Sequence, residues 1–311
     1  MILSEIIIIV LGLVLFEVVT SIENAIINAD VLVTMSERAR KWFLFYGIII
    51  AVFVVRGLLP LVIVYLSNPS IGFVNAFTAT FSSDESVIEI IESSKPILLA
   101  GGGVYLVFLF LHWLFMESKE YAFLIERKIH KHYSFWFYTL ASVVLTVSVW
   151  LTIEINPFVA LGAVIGSTAF FITSGLKHSA EEKEKELIQS GGLSDVSKIL
   201  YLEVIDTTFS MDGVFGAFAF TISIPLILIG NGIGAFMVRY ITIRGVETIK
   251  RYRYLKNGAM YSVGFLGAIM MLDGLGFEVA SWVSPIITFA VVGFFFWLSR
   301  KEMSSERQRI A

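Results

Sequence analysis

The chain has 311 residues, 57% of them hydrophobic and only 16% charged, with mean hydropathy +0.82. A soluble globular chain is about 45–50% apolar and about 25% charged; here the excess lies in long runs, which excludes a soluble enzyme. A net charge of −3, with no basic stretch interleaved with polar aromatics, argues against nucleic acid, and the lack of cysteine removes disulfides, thiolate metal sites and cysteine nucleophiles together.

The expected fold is all-α and polytopic, with the lipid bilayer as its first partner. A spanning helix needs roughly 20 mostly apolar residues, and that length picks out nine segments, at 3–32, 43–66, 96–116, 134–152, 157–176, 198–222, 225–243, 257–275 and 279–299. The first is longer than needed, so it tilts, bends or breaks. Its opening, MILSEIIII, has no basic n-region and its apolar run outlasts an h-region, so no cleavable signal is expected.

Of the 23 Lys and Arg residues, 20 fall on alternate loops of such a chain, among them Arg38, Lys119, Lys177, Lys256 and Arg300. The positive-inside rule then places the N-terminus outside the cell membrane and the C-terminus in the cytoplasm. Within one transmembrane domain, 1–311, the expected parts are a first repeat at 1–116, cytoplasmic loops with two linking spans at 117–197, a second repeat at 198–275, and a last span and tail at 276–311. Asp84, Glu85, Glu89 and Glu92 in the outer loop at 67–95, and the mixed-charge run from Ala180 to Glu186, read as solvated helical segments.

Charge inside the membrane carries the functional information. An ionisable group at mid-span costs about 2.5–3.5 kcal/mol even on insertion scales, so it faces a partner, a cavity or a transported ion. Span one reads Glu17-Val-Val-Thr-Ser21-Ile-Glu23-Asn24, and span six reads Asp206-Thr-Thr-Phe-Ser210-Met-Asp212-Gly213. Both fit acid-x-x-x-Ser-x-acid at an offset of 189 residues, and the next span in each half carries one arginine, Arg56 or Arg239. Spans one and six cross in opposite directions, which is the inverted-topology repeat of many secondary transporters, with the site near the midplane.

Six residues along a helix rise about 9 Å and leave the two acids about 120° apart. The pattern therefore predicts Glu17 and Asp212 at an outer level and Glu23 and Asp206 at an inner one. Both acids of a span face one ion only if the helix unwinds between them, where Ser21, Asn24, Ser210 and Gly213 tolerate a break. Asn28 extends the polar stripe of Glu17, Ser21 and Asn24, so it lines a pathway, whereas Asp30 and Glu203 read as interfacial. Carboxylate, amide and backbone oxygens suit hard divalent ions. Arg56 and Arg239 are the expected gates or counter-charges; a static buried network is the alternative. Gly101-Gly102-Gly103 and Gly162-x-x-x-Gly166 read as close helix packing.

These residues resemble the TerC family of integral membrane proteins, grouped with the LysE-type exporters. The resemblance rests on Phe16-Glu17, Ser21-Ile22-Glu23-Asn24-Ala25, Asp206, Phe209-Ser210-Met211-Asp212-Gly213, Asn231, Arg239 and Tyr254-Leu255-Lys256-Asn257-Gly258. It implies a metal-binding role for Glu17, Glu23, Asn24, Asp206 and Asp212, with Ser21, Asn28, Ser210 and Gly213 supporting. The family is named for tellurium resistance, and several members are implicated in manganese export. A lysine often found late in the third span of each half of family members is replaced here by His112 and Ile269.

The expected function is therefore not enzymatic. It is export of a divalent cation, Mn²⁺ first and Ca²⁺ second, by alternating access, with protons as coupling ions and no organic cofactor. The competing readings are export of a cationic amino acid and a non-transporting scaffold of a stress-resistance system.

Overall fold

The computed structural model describes residues 3–47, 49–50, 85–117, 134–190, 194–244 and 251–310, together with a few positions in the loops between them. These residues are helical, and no strand occurs among them. The helices are α1 (Leu3–Thr20), α2 (Ile22–Val33), α3 (Glu37–Trp42), α4 (Glu85–Met116), α5 (Ser134–Ile153), α6 (Pro157–Ser190), α7 (Asp195–Ala217), α8 (Ile224–Arg244), α9 (Leu255–Gly274) and α10 (Val283–Ile310).

Six segments among the described residues are long and apolar enough to cross a membrane: Leu3–Thr20, Ser93–Met116, Phe135–Ile153, Pro157–Ser179, Ile224–Ile243 and Val283–Ser304. The chain is a helical membrane protein. Most of the expected second span, Arg56 included, lies outside the described residues. The expected sixth and eighth spans are present as α7 and α9 but are too polar to stand among the six. Their position explains the polarity. α7 touches α1, α2, α3, α4, α6, α8 and α9, so its side chains meet protein on most sides rather than lipid.

Local sequence accounts for the helix ends. Ser36 and Ser194 cap α3 and α7 by accepting from the amides of Ala39 and Ser197, both at 3.3 Å. Asn156 accepts from the amide of Phe158 at 3.0 Å, ahead of α6, which opens on Pro157. α9 ends where Gly276 adopts φ 92°, which only glycine takes without strain. The mixed-charge run after Ala180 continues α6 to Ser190 as a helical extension. α4 begins eleven residues earlier than expected, at Glu85, and carries Pro96 inside it. The acidic stretch from Glu85 to Glu92 is thus a helical extension of this span.

Glycine contacts close the bundle. A β-carbon on Gly162 would lie 2.6 Å from the carbonyl oxygen of Ile97, and one on Gly101 would lie 2.8 Å from that of Gly162, so α4 and α6 meet backbone to backbone. The core beneath is aromatic: Tyr105 stacks on Phe215 at 4.3 Å and meets Phe170 edge-on at 6.0 Å.

Candidate functional site: buried carboxylates around α7

The first span breaks where the sequence invites it, though by less than full unwinding. α1 stops at Thr20 and α2 starts at Ile22, with Ser21 at φ −88°, ψ 5° between them. The Thr20 hydroxyl donates to the Phe16 carbonyl at 2.8 Å, and the Ser21 hydroxyl donates to Glu17 Oε1 at 2.7 Å. The backbone bonds from Ser21 N to Glu17 O (3.1 Å) and Ala25 N to Ser21 O (2.9 Å) survive, so the joint is a kink.

Span six does not break. α7 runs continuously through Ser210 and Gly213 and ends at Ala217, before the expected boundary of 222. The Ser210 hydroxyl donates to the Asp206 carbonyl at 2.5 Å, keeping its bond within the helix. Gly213 serves a neighbour rather than a bend: a β-carbon there would lie 2.7 Å from Glu17 Oε2.

An unbroken helix keeps the acids of α7 on different faces. Asp206, Ser210 and Gly213, spaced i, i+4, i+7, form a stripe toward the first span. On it Asn24 Nδ2 donates to Asp206 Oδ1, and Glu17 lies against Gly213. Glu17 is also enclosed by Gly234 of α8, whose added β-carbon would meet Glu17 Cβ at 2.6 Å. Arg239 of α8 completes the stripe, with Nη2 3.2 Å from Asp206 Oδ2 and its guanidinium 4.1 Å over the Phe43 ring. Glu17, Asn24, Asn28, Asp206, Ser210 and Arg239 are all buried.

Asp212 points elsewhere, toward α4 and α6. Tyr105 donates its hydroxyl to Asp212 Oδ1 at 2.6 Å, and Lys177 pairs with Oδ2. Thr173 lies 3.1 Å from the Tyr105 hydroxyl. Asp212 and Glu17, expected at one level, therefore meet different faces of α7, since Asp212 and Gly213 point about 100° apart. Lys177, read from the sequence as a loop cation, instead reaches into the bundle from the last apolar turn of α6.

Among the described residues, no three His, Cys, Asp or Glu side chains come together as a metal-holding group. Glu23 is on α2, and its side chain, like all of Arg56, is outside the described set. Asp206 is instead held by Arg239 and Asn24, and Asp212 by Lys177 and Tyr105. The buried atoms Asn24 Oδ1, Asn28 Oδ1, both side-chain polar atoms of Asn231 and both carboxylate oxygens of Glu203 have no hydrogen-bond partner among the described residues. Glu203, expected at the interface, thus has a buried head group. Sequence reasoning also missed Lys177 and Tyr105; the available signal was their position on apolar segments lying between the two acid-bearing motifs.

A second polar cluster lies at the other end of α4. Glu117 accepts from Lys256 Nζ at 2.8 Å and lies 3.9 Å from His112 Nδ1. Burial would raise its carboxyl, but the nearby His112 imidazole and the hydrogen-bonded charge of Lys256 outweigh this and hold it down at about 2. Buried Glu126 accepts from Asn257 Nδ2 at 2.6 Å and from the Tyr261 hydroxyl. His112, its side chain 28% exposed, also meets Phe137 and Phe170 edge-on and so packs beside Glu117.

Comparison with protein families matches residues 22–306 to the family described as protein of unknown function (DUF475), and the chain belongs to that family. Comparisons with curated proteins and with solved structures give no match.

Proposed function

We propose that this member of the DUF475 family is a secondary transporter that exports a divalent cation, Mn²⁺ first, through the buried carboxylates around α7. The observation that carries the reading is the pairing of Asp206 and Asp212 with long, tethered cations, Arg239 and Lys177. A carboxylate kept ionised inside a bilayer needs positive charge. A side-chain cation supplies it when no cargo is bound, and a divalent ion replaces it when cargo arrives. Glu17 and Asn24 offer further oxygens beside the same stripe, and Glu23 belongs to the proposed set. Acids that release metal accept protons, which makes protons the natural coupling ion.

The nine-span, inverted-repeat architecture, with the N-terminus outside and the C-terminus in the cytoplasm, is part of this proposal. It is supported by an exchange of contacts. The offset of 189 maps Glu17 to Asp206 and Asn24 to Gly213. Contact of Glu17 with Gly213 and contact of Asn24 with Asp206 are therefore each other's images. A pseudo-two-fold between two repeats produces such a swap. The resemblance to TerC proteins in the same residues favours Mn²⁺ among hard cations, and the oxygen-only ligand set favours a metal over a cationic amino acid.

The second reading is a static scaffold, favoured by the same two ion pairs if they never open. Metal-dependent thermal stabilisation of the purified protein separates the two. Transport predicts that Mn²⁺ raises Tm in the wild type and does so much less after Asp206→Asn or Asp212→Asn, since ligands that bind only the folded state stabilise it. A wild-type Tm indifferent to Mn²⁺ and Ca²⁺ favours the scaffold.

A further inference from the structure

We propose that Glu203 is a second seat for the Arg239 guanidinium, taken up when a cation claims Asp206; this deepens the transport reading and rests on it. Glu203 stands three residues before Asp206 on α7, so the two carboxylates lie on neighbouring positions of one helix face. Both oxygens of Glu203 are buried, and no hydrogen bond reaches them among the described residues. Arg239 is the complementary case: Nη2 serves Asp206 at 3.2 Å, while Nη1 has no acceptor among those residues.

Gly47 marks the space between the two groups. A β-carbon there would run into Glu203 Oε1 and would lie 3.2 Å from Arg239 Nη2. The guanidinium and the empty-handed carboxylate thus border one small volume that a glycine leaves open. The Phe43 ring, 4.1 Å from Arg239 Cζ, gives the cation an aromatic face along which to turn.

The physical need for a second seat is strict. Arginine keeps its proton in proteins, so a guanidinium displaced from Asp206 cannot become neutral and must find another acceptor. Burying a charge unpaired is among the costliest events in a low-dielectric interior. Glu203 removes that cost by accepting the arginine at short range, and Asp206 is then free to bind cargo. In this scheme Glu203 touches no cargo; it is a positioning residue acting through Arg239.

A metal-free double-mutant cycle on the full-length protein tests this. Asp206→Asn alone leaves Arg239 only Glu203 and lowers Tm modestly, whereas Glu203→Gln alone removes no bond in the metal-free protein and changes Tm little. Together they leave it none, and Tm falls by clearly more than the sum. Additive losses overturn the proposal, as does failure of Asp206→Asn alone to fold, because the second seat exists to accept Arg239 in that protein. A second arm uses Mn²⁺: Glu203→Gln weakens its half-saturating concentration by about tenfold, equivalent to 1.4 kcal/mol, in the wild-type background. It has no effect when Arg239 is already Gln. An equal effect in both backgrounds overturns the proposal. If Mn²⁺ fails to stabilise even the wild type, the transport reading fails, while the metal-free cycle still reports on the two seats.

Discussion

Asn24 gives its side-chain amide to the carboxylate of Asp206, joining the kinked first span to the unbroken helix α7 across 182 residues of sequence. About two turns along the same stripe, Glu17 lies on Gly213. The interior is therefore organised around α7, with one face given to the first span and Arg239, and another given to Asp212, Tyr105 and Lys177.

The pair of Asp212 and Lys177 gives the first prediction. Their side chains are only 17% exposed for the lysine and 13% for the aspartate, and removing one partner of a buried pair costs ~3–5 kcal/mol. Lys177→Met should therefore lower Tm sharply in detergent. Adding Asp212→Asn should restore much of the loss, because no uncompensated charge remains. Equal destabilisation by the single and double variants would show that the two residues act separately.

The glycines around Glu17 give a graded prediction. On Gly213 an added methyl meets only the tip of the Glu17 side chain, which can turn away, and alanine gains about 1 kcal/mol of helix propensity. Gly213→Ala should fold normally while moving the Glu17 carboxylate, and Mn²⁺ stabilisation should fall. On Gly234 the methyl meets Glu17 Cβ at 2.6 Å and the Val14 carbonyl at 3.2 Å, neither of which can rotate aside. Gly234→Ala should cost about 1–3 kcal/mol as overpacking. Thermal unfolding of both variants checks the order.

Glu117 gives a pH prediction outside the membrane-spanning segments. Its carboxyl is held down at about 2 against an ordinary 4.5. A depressed folded-state value contributes stability that is complete above the unfolded value and lost as pH falls through the folded one. Wild type should therefore exceed Glu117→Gln in stability above pH 4.5 and converge with it toward pH 2. Parallel curves across that range would show that Lys256 and His112 do not hold an ionised Glu117.

Topology is the next expectation. With nine spans and the N-terminus outside, a reporter fused after Ala311 reads cytoplasmic, and one placed in the loop after the first span, near Arg38, does too. An external signal at Ala311 would contradict the nine-span topology and the inverted repeat proposed with it.

Much of this architecture is written in the sequence as length and hydropathy. The apolar runs at 134–152, 157–176 and 225–243 fall within two or three residues of the helix ends of α5, α6 and α8, or continue into polar extensions of them. The small-residue motifs at Gly101 and Gly162 mark a true backbone contact. The site was legible only in part. Glu17, Asn24, Asp206 and Arg239 were legible because polar residues inside apolar runs must find protein partners, and they converge on one face of α7. Lys177 was hidden because a lysine ending an apolar run looks like a loop anchor, although its flexible stem can bring the ammonium back into the bundle. Tyr105 was hidden among many aromatic residues, since only its hydroxyl distinguishes it from a packing ring. Ser210 and Gly213 read as a breaking point, yet the hydroxyl is satisfied in its own helix and the glycine makes room for Glu17.

The most direct test of the central claim is Mn²⁺ flux into inside-out membrane vesicles carrying the full-length protein. The account predicts uptake by the wild type, dependent on a proton gradient, and its loss in Asp206→Asn and Asp212→Asn proteins present at normal levels in the membrane. Undiminished uptake by the protein carrying both changes would contradict it.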